Sequence, residues 1–96
     1  MTILNSKIIN INNHKTSLRL ALGEWEAIDI ICNIENIKRN SLFELININR
    51  NTNLNLTSSI RLFCISYLLN ESLKPQNYKK ISKNNSSLEK AIANII

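Results

Sequence analysis

HKTSLRLALGEWEAIDIICNIENIKRNSLFELINI (residues 14–48) decides the fold. It opens with a short alternating run. Thr16, Leu18 and Leu20 fall on one side of an extended chain; Lys15, Ser17 and Arg19 fall on the other. The period then changes. From about Gly23 to Asn36 the apolar residues Trp25, Ile28 and Ile31 or Cys32 recur at helical spacing, while Glu24, Glu26, Asp29 and Asn33 occupy the outer face. Three acids lie in the first two turns, where the positive end of the helix dipole favours them. Asn36 tolerates the left-handed backbone that ends a helix. After a turn carrying Lys38 and Arg39, a second helix is expected from about Arg39 to Asn49, with Leu42, Leu45, Ile46 and Ile48 or Asn49 as its stripe. A lone strand leaves its backbone donors and acceptors unpaired, so the strand must borrow a partner, most simply from a second copy of the chain.

Outward from this segment, KIINI (residues 7–11) also reads as a strand, either a hairpin partner or an arm that orders on binding. Asn12, Asn13 and His14 read as the turn between the two strands. NRNTNLN (49–55) is a polar loop. A third helix is expected from about Thr57 to Asn70, capped by Thr57 or Ser58, with Ile60, Phe63 or Cys64, Tyr67 and Leu68 as its stripe. Pro75 lies shortly beyond its end. The expected division is a domain over residues 1–70 and a basic tail over 71–96. In the tail, SSLEKAIANII (86–96) begins like a capping box and suits a short last helix.

The composition excludes several classes. Ninety-six residues suit one small domain. With one Gly and one Pro, no glycine loop able to cradle phosphate can be written. Asn and Ile make up about a third of the residues, which suits an AT-rich coding bias better than a functional Asn array. Cys32 and Cys64 belong to no CxxC pair, and a single His cannot complete a zinc site with them. They read as small buried hydrophobes in a reducing cytoplasm. No cofactor and no metal is expected. One His leaves few general bases, so an enzyme is not expected. The N-terminus is interrupted by Asn5, Ser6, Lys7 and Asn10, unlike a secretory leader, and no apolar run is long enough for a membrane span.

Lys and Arg number 12 against 7 acids, giving a net charge of +5. The signs are segregated. Residues 1–22 hold Lys7, Lys15 and Arg19 and no acid; the first helix is acidic; Lys38 and Arg39 precede the second. An anionic partner fits that pattern, and phosphate at the start of the second helix would meet both side chains and free backbone N–H groups. Arg19 can donate two hydrogen bonds to a guanine edge, Lys15 can do so more weakly or hold a phosphate, and Ser17 can donate or accept. His14 reads as a turn residue or a phosphate contact. Trp25, Phe63 and Tyr67 read as core.

The order strand, helix, basic turn, helix resembles the ribbon-helix-helix DNA-binding domains of bacterial repressors and antitoxins. HKTSLRL followed by Trp25, and later NLTSSIRLFCISYLL (55–69), looks like a subgroup of that family with a third helix. The resemblance covers about residues 7–69. It implies a mainly α fold with a short β ribbon: an intertwined homodimer, the third helix added to the core. It implies double-stranded DNA as partner, in transcriptional control. The ribbon would lie in the major groove with Lys15, Ser17 and Arg19 on bases. Lys7, His14, Lys38, Arg39, Asn40 and Ser41 would lie on phosphates. Lys38 replaces the usual Ser or Thr cap, Asn36 the usual Gly, and Glu24 an aromatic residue. A rival is an antitoxin-like interaction module whose tail, through LEKAIANII, binds a protein partner. RNA ranks lower, because no aromatic stacking surface is evident.

Overall fold

The computed structural model describes residues 4–72 and 87–96. Two strands, β1 (Leu4–Ile11) and β2 (His14–Ala21), form an antiparallel hairpin, followed by α1 (Leu22–Glu35), α2 (Arg39–Asn49), α3 (Leu56–Ser72) and α4 (Ser87–Ala93). The turn is two residues long, Asn12 and Asn13, both left-handed at φ 53° and 68°. Turns with two left-handed residues match the twist of a hairpin, and Asn reaches that region at little cost. His14, expected in the turn, therefore belongs to β2.

The hairpin changes one deduction. β2 finds a partner inside its own chain, so one of its edges is paired without a strand borrowed from a second copy; among the described residues its other edge carries no strand. The ribbon is complete in one subunit and need not be intertwined.

No loop separates β2 from α1. Ala21 is extended, at φ −66° and ψ 156°, and its N–H donates to Glu24 Oε1 at 2.8 Å. Glu24 Oε2 accepts from Arg61 Nε at 2.7 Å, so this acid, expected to face solvent, ties the start of α1 to α3. Asn36 ends α1 in the left-handed region, at φ 58° and ψ 47°, as the sequence predicts. α3 is capped by Asn55 rather than by Thr57 or Ser58: Asn55 Oδ1 accepts from the Ser58 N–H at 2.8 Å.

The core lies between the ribbon's inner face and the helices. Ile9, Ile11, Leu18 and Leu20 meet Trp25, Ile28 and Ile31 of α1, Leu42, Phe43 and Ile46 of α2, and Ile60, Phe63 and Tyr67 of α3. α2 packs on β1, whereas α1 and α3 both reach β2. Two stripe assignments shift. Phe43 is buried and Ile48 is 80% exposed, because α2 turns residues 42, 43 and 46 inward. Leu68, expected in the α3 stripe, is exposed: the buried face of α3 is Ser59, Ile60, Phe63, Cys64, Ser66 and Tyr67.

α4 forms where the capping pattern placed it. Ala91 and Ile95 are fully buried, Asn94 Nδ2 donates to Ser66 Oγ at 2.9 Å, and the Asn51 N–H donates to the Ile95 carbonyl at 2.6 Å. Cys64 is buried among apolar groups and its thiol is pushed up to about 12, chiefly by burial. Cys32, half-buried, is raised for the same reason. Among the described residues no cluster of His, Cys, Asp and Glu could hold a metal, and no helix is long and apolar enough to cross a membrane.

Candidate nucleic-acid interface

In an antiparallel pair, directly opposed residues share a face. The register opposes Ser6 to Arg19, Ile8 to Ser17 and Asn10 to Lys15. These six residues form the ribbon's outer face, and all are exposed. Lys15, Ser17 and Arg19 thus stand in one row, as the alternation predicts. The ion pairs Arg39–Asp29 and Arg61–Glu24 involve neither Lys15 nor Arg19. Ser17 is less free. Its hydroxyl lies 3.3 Å from that of Ser6, a cross-strand hydrogen bond in which either can donate.

The structure adds three residues to this face that sequence reasoning missed: Ser6, Ile8 and Asn10. The signal was present in Asn12-Asn13. Once the turn is limited to those two residues, Ile11 must oppose His14, and every pair before it follows.

Lys7 and His14 have the opposite parity. Lys7 turns toward the helices, with Nζ 5.4 Å from the centre of the Trp25 ring. His14, opposite Ile11, is exposed at the end of the ribbon beside the turn. Arg39 also lies over Trp25, its guanidinium carbon 5.1 Å from the ring centre. A cation over an indole face is held by the ring quadrupole, worth about 0.5–2 kcal/mol. Trp25 itself is buried. Its Nε1 donates to the Asn5 carbonyl at 3.0 Å, and its ring meets Phe43 edge-on at 6.2 Å. One indole of α1 therefore locks β1 and the start of α2 together, and brings Lys7 and Arg39 to the same place.

At that helix start, Lys38 precedes α2 in an extended conformation, at φ −80° and ψ 153°, with no side-chain cap. The backbone N–H groups of the first turn therefore lack a hydroxyl or carboxylate acceptor there. Lys38, Asn40 and Ser41 are exposed around them. Arg39 differs: it is only half-exposed, and it pairs with Asp29 Oδ1 at 2.5 Å. The expected separation of acidic and basic surfaces is thus incomplete. One acid of α1 already balances one of the two cations at this terminus. The terminus keeps Lys38, uncapped N–H groups and the dipole's positive end, an arrangement suited to an anion.

The model of one family, described as a ribbon-helix-helix domain, matches residues 4–68. The match spans the hairpin, α1, α2 and most of α3. Among curated proteins and among solved structures, none matches the chain.

Proposed function

Because the chain belongs to the ribbon-helix-helix family, whose domains are generally homodimeric DNA-binding modules of transcription regulators or antitoxins, we propose that this protein binds double-stranded DNA sequence-specifically as a homodimer. The observation that carries the reading is the ribbon's outer face, with Lys15, Ser17 and Arg19 exposed in one row. A two-stranded ribbon fits the major groove, which is about 12 Å wide. Arg19 donates to guanine, Lys15 to guanine or phosphate, and Ser17 makes the weaker contact because Ser6 shares its hydroxyl. Lys38, Asn40 and Ser41 at the start of α2 take a phosphate. Arg39 and Lys7 serve first as the cations that flank Trp25, and His14 serves the phosphate beside the turn.

Each subunit carries a whole ribbon, so two subunits present two ribbons. Ile30 and Ile34 of α1 and Ile65 and Leu69 of α3, each more than half exposed, supply apolar surface for a second copy. Selection from a random DNA pool at about physiological salt, near 0.15 M, should enrich a motif with two-fold symmetry. A pool that emerges without a motif would sink the proposal.

The phosphate contacts make a second expectation. On the order of 4 to 8 contacts per dimer should set the salt slope. Lys38→Ala should weaken binding to all sequences alike and lower the slope by about 1 for each subunit. An unchanged slope would remove Lys38 from the interface. The antitoxin-like rival is disfavoured by the C-terminal segment: Ala91 of α4, and Ile95 just beyond it, are already buried in the chain's own core and so are not offered to a partner. Residues 74–83 of the basic tail lie outside the described residues.

A further inference from the structure

The outer face of β1 is an odd surface for a strand that serves only to complete the ribbon. Ile8 is 66% exposed at its centre, between Ser6 and Asn10 on the same face. Ile8 is the immediate neighbour of the buried Ile9, so the alternation of the strand turns this large β-branched side chain out to water, where it buries little of its surface. The register decides what it could touch. Ile8 lies directly opposite Ser17, and Asn10 directly opposite Lys15.

Strands of a pair are about 4.8 Å apart. A ribbon that enters a groove about 12 Å wide therefore brings both of its strands to the base edges together. Residues two apart on one strand are about 6.7 Å apart, close to two base-pair steps of 3.4 Å. The three rows Arg19–Ser6, Ser17–Ile8 and Lys15–Asn10 then cover roughly four to five base pairs.

We infer that β1 reads sequence too: Ile8 packs on a thymine methyl group, and Asn10 makes paired hydrogen bonds to an adenine edge. An amide is the side chain that matches N6 and N7 of adenine, and an aliphatic group is what distinguishes thymine in the major groove. The inference rests on the DNA-binding reading above and specifies it further. The subsite recognised by one ribbon is mixed, with guanine at the Arg19 end, thymine near the centre and adenine at the Asn10 end.

Selection from a random duplex pool, run in parallel with the wild type, Arg19→Ala, Ile8→Ala and Asn10→Ala, tests this. Both β1 positions are exposed, so the variants should unfold at nearly the wild-type temperature, which a melting curve verifies. Asn10→Ala should lower the preference for adenine at one position roughly tenfold. Ile8→Ala should lower the preference for thymine at a neighbouring position about fourfold, the worth of one buried methyl group. Other positions should keep their preferences. If the wild type and Arg19→Ala differ but both β1 variants enrich the wild-type motif, β1 does not read bases and the inference falls alone. A uniform loss of affinity with an unchanged motif would overturn it equally. If the wild type enriches no motif, the DNA-binding reading falls and takes the inference with it.

Discussion

Trp25→Ala should destabilise the protein by about 3–5 kcal/mol, the range for removing a large aromatic side chain from a packed core. Domains of this kind are stable by only about 5–15 kcal/mol, so the substitution removes a large share of that margin. The reason is not area alone. Trp25 is 2% exposed, donates a 3.0 Å hydrogen bond to the Asn5 carbonyl, meets Phe43 edge-on, and lies beneath Lys7 and Arg39. Alanine opens a cavity where β1, α1 and α2 converge, and leaves a backbone carbonyl of β1 without its donor. Trp25→Phe keeps a ring and should cost less. Chemical denaturation followed by circular dichroism reads the difference, since the chain's one tryptophan is absent from both variants. A loss below about 1 kcal/mol, the scale of an ordinary point substitution, would show that the indole is not what joins these elements.

Arg19→Ala should behave in the opposite way. The side chain is exposed, so stability should change by no more than about 0.5 kcal/mol. Binding to the selected site should fall by about 1–3 kcal/mol for each ribbon, and by roughly twice that for a dimer that engages two half-sites. Discrimination at the guanine position should blur as well. Titration of the selected duplex and of a duplex altered at that position, both at one salt concentration, separates these effects. Equal loss on both duplexes would reduce Arg19 to a phosphate contact. No loss on either would remove it from the interface.

These two residues show what could be read in advance. Arg19 is legible because a strand's period of two places every second residue on the same side, whatever the strand pairs with. Trp25 is legible as core because it shares a helical stripe with Ile28 and Ile31. Asn36 is legible as a stop because few side chains accept a left-handed backbone. The parity of Lys7 was harder to see. KIINI has apolar residues at three positions of five, so its alternation is weak, and only pairing with β2 turns Lys7 inward to Trp25. The pairing of Arg39 with Asp29 joins two helices across a turn, which no local pattern records. Phe43 was missed because α2 offers two overlapping apolar stripes, one through Leu45 and Ile48 and one through Phe43 and Ile46, and only packing against β1 and α3 selects the second.

Local chemistry alone determined the order of elements, where the helices stop, and which residues of β2 share a face, because each follows from backbone preferences and side-chain period within a few residues. The tertiary structure decided which strand completes the ribbon, and hence that Ser6, Ile8 and Asn10 join its outer face. It also decided that Glu24, Asp29 and Arg39 are bound to partners rather than to water. Those outcomes depend on which distant groups come within hydrogen-bonding reach, and that distance is set only when the whole core closes.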